Sequence, residues 1–110
     1  MARVTWAEEE AVALFNLYFQ EGMNAPIEKI VHLSQIYRKR AEDLGMAIDE
    51  KFRNVSGLKM QLACIQYVVT GGREGMPNAS KLFYKTYELF LRDPEKYRAI
   101  LNSFYEKYDV

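Results

Sequence analysis

The chain has 110 residues, of which 49% are apolar and 27% are charged. A chain of this length is expected to form a single domain over residues 1–110, with one core that buries roughly 65% of the unfolded surface. Fifteen basic and fifteen acidic residues cancel, which excludes strongly charged classes such as histones and acidic DNA mimics.

Helical periodicity dominates the chain and predicts an all-α fold, a compact bundle of about five helices. The first predicted helix covers residues 5–21, and Thr5 and Glu8 show the pattern of a capping box at its start. Pro26 suits the first turn of a second helix, which is expected to end by Gly45.

The middle of the chain predicts a connector and then a third helix. Residues 46–53 are expected to connect the second and third helices, with at most one helical turn. Asn54 or Ser56 is expected to cap the third helix. Its apolar residues recur at spacings of four, three and four, at Leu58, Leu62, Ile65 and Val69.

Three glycines and a proline within residues 70–78 predict a loop. A fourth helix is expected after Asn78 and before Pro94, and a fifth from Asp93 onwards. The ring-rich C-terminal helix, over residues 93–110, is expected to pack back on the first helix or to form a surface for self-association or a protein partner.

The neutral total conceals an uneven distribution of charge. Residues 1–50 hold nine acidic and five basic residues, whereas residues 51–85 hold six basic residues and one acidic residue, a net charge of +5. The second window contains the third helix and both its flanks. Because a third helix after two packing helices is the usual reading element of a helix-turn-helix or Myb-like unit, this window predicts a DNA-binding surface. A solvated helix face is the alternative explanation from charge alone.

Six residues of this window are the candidate DNA-binding residues. Arg53 can pair bidentately with guanine or phosphate, and Asn54 can pair with adenine or simply cap the third helix. Arg73, beside a glycine-rich backbone, is placed to approach a phosphate. The complete set is Arg53, Asn54, Lys59, Arg73, Lys81 and Lys85.

No catalytic site is expected, because no nucleophile, base and metal-ligand set can be assembled. Cys64 is interpreted as a small core residue, and His32 as a partly exposed helix residue without metal-ligand spacing around it. The glycines of the loop lack the strand and the Gly-Lys-Ser/Thr ending of a phosphate-binding loop. We therefore expect a non-enzyme with neither a metal nor another cofactor. The lone cysteine favours the cytoplasm, and no apolar run is long enough to suggest a membrane partner.

A series of short motifs resembles the N-terminal module of HNH-type restriction endonucleases, including enzymes similar to the 5-methylcytosine-specific restriction protein A. The resemblance covers roughly residues 5–92. Its strongest pieces are Arg53-Asn54 with Gly57-Leu58, and the run Asn78-Ala79-Ser80-Lys81-Leu82. This chain departs from the family pattern at Val55, where proline is common, and at residues 61–64, where a Lys-Leu-Asn run is common.

The resemblance implies a helical accessory module that helps a nuclease to engage double-stranded DNA, with or without modified cytosine. A second histidine, which the HNH metal site requires, is missing from this sequence. The chain is then either a free-standing relative of the module or part of a longer enzyme. The alternative is a stand-alone protein-interaction module, such as a phage or defence-system inhibitor, which the neutral total charge and the aromatic C-terminus favour.

Overall fold

Five α-helices and one short 3-10 turn make the structure 72% helical. It is a computed structural model that describes residues 5–109. The helices are α1 (Glu8–Glu21), α2 (Ile27–Asp43), α3 (Val55–Val69), α4 (Lys81–Arg92) and α5 (Pro94–Tyr108), and the 3-10 turn is Gly22–Asn24. The all-α prediction is confirmed, and no strand occurs in the described part of the chain. The helix-turn-helix or Myb-like unit stays a prediction.

Side-chain caps start three of the helices. Asn54, Ser80 and Asp93 each precede a helix, and the side-chain oxygen of each accepts a hydrogen bond from the backbone N–H three residues later. A cap of this kind is typically worth about 1 kcal/mol, because it satisfies an N–H that has no partner inside the helix. The starts of α3 and α5 could therefore be predicted, because each cap joins residues only three positions apart in the sequence.

The start of α1 differs from the predicted one. The helix begins at Glu8, after Ala7, and the backbone N–H of Ala7 donates to Oε1 of Glu10 at 3.0 Å. Thr5 lies before the helix, so the predicted pairing of Thr5 with Glu8 is wrong. Glu10 has the role that was predicted for Glu8, because its carboxylate accepts the backbone N–H of the residue that precedes the helix.

The centre of the core is α1, which is apolar around most of its circumference. Residues 11–15 are all fully buried, and α1 packs against α3, α4 and α5. The largest fully buried side chains include Phe15, Tyr37, Phe83, Phe104, Leu58, Leu62 and Ile65. A helix that is apolar on several faces requires neighbours on several sides, and the other helices supply them.

Aromatic pairs hold α4 against α1. The ring centroid of Phe83 lies 5.8 Å from that of Phe15 and 5.7 Å from that of Trp6, and both pairs have edge-to-face geometry. Further along both helices, the rings of Phe19 and Phe90 are 4.4 Å apart. Such pairs are worth about 0.5–1.5 kcal/mol each beyond the area that they bury.

The aromatic residues of α5 point into the core. Phe104 lies 5.7 Å from Tyr37, and Tyr97 donates a hydrogen bond from its hydroxyl to the carbonyl oxygen of Val12 at 3.2 Å. Burial raises the pKa of Tyr37 well above its usual value. Phe104 and Tyr108 are both buried, and α5 packs on α1, which confirms the expected packing of the last helix on the first. A surface for self-association or a protein partner stays a prediction.

The loop between α3 and α4 lies against the side of α3. Gly75 has φ +93°, and a Cβ atom built on it would lie 2.3 Å from the carbonyl oxygen of Ala63 and 2.6 Å from the backbone nitrogen of Tyr67. Only glycine allows so close an approach. The loop also accepts a hydrogen bond from Gln66 to Glu74 at 3.1 Å. It therefore covers part of the surface that α3 was expected to present.

Within residues 5–109, the helices are too short or too polar for any of them to span a bilayer.

Candidate nucleic-acid interface

A cleft of about 1240 Å³ opens between the residues that lead into α1, the connector between α2 and α3, and the start of α4. We call it the main cleft. The rings of Trp6 and Phe52 contribute to its walls. Its polar lining comes from residues far apart in the sequence, namely Thr5, Asp49, Lys51, Arg53, Gln61, Asn78, Ser80 and Lys81.

Arg53 is bound into the protein beneath this cleft. Its Nε donates to Oε2 of Glu10 at 2.9 Å, and one terminal nitrogen donates to Oε1 of Glu10 at 3.1 Å and to the carbonyl oxygen of Thr5 at 3.2 Å. Its guanidinium carbon lies 4.2 Å from the ring centroid of Trp6 and 4.6 Å from that of Phe52. The Arg53 side chain is 8% exposed, and that of Glu10 is fully buried.

These contacts give Arg53 a structural role, and its contact with DNA stays a prediction. A bidentate pair between arginine and a buried carboxylate holds the guanidinium in one geometry. Separating the two groups would leave an uncompensated buried charge. Arg53 is therefore a structural residue that joins the start of α1 to the start of α3.

The backbone of Arg53 is also unusual. Its φ of +47° is the only positive value at a non-glycine residue in the described chain. That left-handed conformation costs roughly 1–2 kcal/mol for an ordinary residue. The hydroxyl of Ser34 in α2 donates to the carbonyl oxygen of Arg53 at 2.7 Å. Contacts from both α1 and α2 thus hold the connector in this strained turn.

Arg40 in α2 is a second cation beside the carboxylates at the start of α1. It forms salt bridges to Glu9, through its Nε, and to Glu10, at 3.7 Å. Burial alone would lower the pKa of Arg40, but the hydrogen bond to Glu9 and the charges of Glu10 and Glu9 raise it. Two arginines therefore balance two of the three consecutive glutamates in the first turn of α1, Glu9 and Glu10.

Asn54 has a structural role as well. Its side-chain oxygen accepts the hydrogen bond from Gly57 N at 2.8 Å, as the cap of α3. A bidentate contact to adenine uses both the oxygen and the nitrogen of the amide. Because the oxygen accepts this hydrogen bond, the capping interpretation is confirmed, and the contact with adenine stays a prediction.

Lys51 and Lys81 approach the main cleft from different walls, the connector and the start of α4 respectively. Lys85 follows Lys81 by four residues and so lies on the same face of α4, one turn further on. All three are exposed, and none forms a salt bridge within residues 5–109. The single acidic residue lining the cleft is Asp49, whose Oδ1 accepts the backbone N–H of Lys51 at 3.0 Å.

Lys59 and Arg73 lie elsewhere. Lys59 precedes Gln61 by two residues in α3, which separates the two side chains by about 200° around the helix axis. Since Gln61 lines the main cleft, Lys59 points away from it. Arg73 is exposed in the loop that packs on α3. Of the predicted cations, Arg53 and Lys81 line the main cleft, whereas Lys59 and Arg73 do not. Lys59 is the single cation of α3.

Cys64 and His32 differ in their exposure to solvent. Cys64 is 3% exposed, and burial raises the pKa of its thiol. The His32 side chain is exposed, with Nε2 3.2 Å from Oδ1 of Asp109. No group of three or more His, Cys, Asp or Glu side chains suited to a metal ion occurs in the part of the chain that the structure describes.

The sequence did not indicate that four further residues line the same cleft, namely Thr5, Lys51, Gln61 and Asn78. Lys51 contributes to the positive charge of residues 51–85, which was the available signal. The path of the connector, which brings Lys51 to the same cleft as Lys81, depends on contacts between distant residues.

Compared with protein-family models, with curated proteins and with solved structures, the chain gives no significant match.

Proposed function

We propose that the protein is a non-catalytic DNA-binding accessory module that contacts the phosphate backbone around the main cleft. The observation that carries this proposal is that Lys51 and Lys81 are exposed on two walls of one cleft whose lining holds a single acid. Lys85 extends the positive surface along α4. Lysine ammonium groups neutralise phosphates without reading the bases, so binding is salt-sensitive and weak for a single copy.

A relation to restriction or phage-defence nucleases belongs to the same proposal, and the order of the sequence motifs supports it. Two of those motifs have structural roles in this fold. Arg53-Asn54 forms the buried ion pair and the cap of α3. Ser80, in the run from Asn78 to Leu82, caps α4. A cytoplasmic location is proposed with it, on the basis of the single cysteine.

The test is a titration of labelled duplex DNA, with and without modified cytosine, at low salt. The variant K51E/K81E is expected to bind at least about tenfold more weakly than the unchanged protein, because it places two negative charges beside the phosphates. The matched control is K59E/R73E, which changes the net charge equally but at residues that do not line the main cleft. Equal losses in the two variants would show that the cleft has no special part in binding.

A protein-interaction module is the second candidate function. Ile27 and Val31 lie one turn apart on α2 and are 51% and 37% exposed, and Met23, in the 3-10 turn before α2, is 40% exposed. A module of this kind would retain a protein partner and leave the duplex unbound. The same titration therefore separates the two candidates.

A further inference from the structure

We propose that the main cleft is a pocket for one unpaired nucleotide, with the base beside Trp6 and the phosphate between Lys51 and Lys81. This inference rests on the proposed DNA-binding function and narrows its substrate to nucleic acid with an unpaired position. Aromatic, amide and cationic side chains meet in this one cleft. Proteins use the same combination to hold bases that are out of the stack.

The volume of the cleft is sufficient for a single nucleotide. Its volume of about 1240 Å³ is somewhat larger than the ~300–1,000 Å³ typical of small-ligand pockets. A nucleotide with its neighbouring phosphates therefore has room. A base inside a duplex reaches such a concave site only after leaving the stack, which costs a few kcal/mol and is cheapest at an unpaired position.

Trp6 is held in a fixed orientation at this site. Arg53 covers one part of its ring, and Tyr37 and Phe83 make edge-to-face contacts with it, at centroid distances of 5.5 and 5.7 Å. The ring of Trp6, which lines the cleft, is therefore held in place from several sides.

Two amides supply groups that can recognise the edge of a base. Gln61 and Asn78 line the cleft from α3 and from the loop before α4. Neither side chain makes a hydrogen bond to another residue of the range 5–109. An amide offers one acceptor and one donor group, which matches the mixed edge that an unpaired base exposes. The two lysines are then left for the phosphates on either side.

The test uses the fluorescence of Trp6, which is the only tryptophan of the chain. The probes are a single-stranded dA octamer, a hairpin duplex containing the same run, and deoxyadenosine monophosphate. We expect the octamer to change the fluorescence of Trp6 and to bind about tenfold more tightly than the hairpin. Saturation by the mononucleotide at the same concentration as by the octamer would identify a free nucleotide as the ligand of this pocket.

The variant Q61A/N78A is expected to lower the ratio of single-strand to duplex affinity to about one, because it removes the groups that contact the base. Q35A/N102A, which removes two exposed amides elsewhere, is the matched control and should leave the ratio unchanged. Octamer binding no tighter than hairpin binding, without a change in Trp6 fluorescence, would overturn the pocket while leaving duplex binding intact. Failure of every probe to bind would overturn both proposals.

Discussion

Replacing Glu10 with alanine is expected to lower the free energy of unfolding by about 3–5 kcal/mol, because it leaves a buried arginine without its partner. Glu10 is fully buried, and both its oxygens accept hydrogen bonds from Arg53. It also accepts the N–H of Ala7 at the start of α1. The measurement is urea denaturation followed by circular dichroism.

Two further variants make this test specific. E8A removes an exposed glutamate from the same helical turn, so its effect should stay within about 0.5 kcal/mol. The double variant E10A/R53A should lose about 1–3 kcal/mol less than the sum of the two single losses, because neither charge is then left alone. An E10A protein within 1 kcal/mol of the unchanged protein, or single losses that simply add, would refute the buried pair as the link between α1 and α3.

Replacing Phe83 with alanine is the second change with a large expected effect, about 3–5 kcal/mol of unfolding free energy. Phe83 and Thr86 are the two buried residues of α4. The Phe83 ring contacts both Trp6 and Phe15, so its removal opens a cavity where α4 meets α1. Urea denaturation measures the loss, and a shift in Trp6 emission reports the cavity beside the indole.

The neighbouring residue provides the control for this prediction. Tyr84 is 47% exposed, and its replacement with alanine should change the unfolding free energy by about 0.5 kcal/mol or less. If F83A lost no more stability than Y84A, then α4 would not be anchored through its aromatic contacts with α1.

Local interactions explain why much of the helical layout could be predicted. The cap at Asn54 and the Asp93-Pro94 start of α5 involve residues at most three positions apart, so the sequence displays both partners together. The apolar period of α3 likewise predicted the burial of Leu58 and Ile65. Such signals depend little on where the other helices lie.

The candidate site was harder to predict, because its parts meet only through tertiary contacts. Glu10 and Arg53 are 43 residues apart, and an arginine before a helix has the same local pattern whether it binds a phosphate or a buried carboxylate. The sequence offered one signal, since Glu10 precedes five consecutive apolar residues, 11–15, which the structure buries fully. A carboxylate in such surroundings requires a cation.

Which lysine side chains face the main cleft also depends on tertiary contacts. Lys59 and Lys81 are both exposed, as the sequence suggested, yet only Lys81 lines the main cleft. The rotation of α3 about its axis decides this outcome, and that rotation depends on how α1, α2 and the loop at Gly75 pack around it. Net charge within a sequence window therefore predicts exposed cations better than it predicts a shared surface.

The salt dependence of duplex affinity tests the role of the cleft lysines most directly. Three phosphate contacts, from Lys51, Lys81 and Lys85, predict that the logarithm of the association constant falls with the logarithm of salt concentration at a slope of about −3. The variant K51Q/K81Q should reduce this slope to about −1. A slope that stays the same in the variant, or one near zero in the unchanged protein, would contradict phosphate binding at the main cleft.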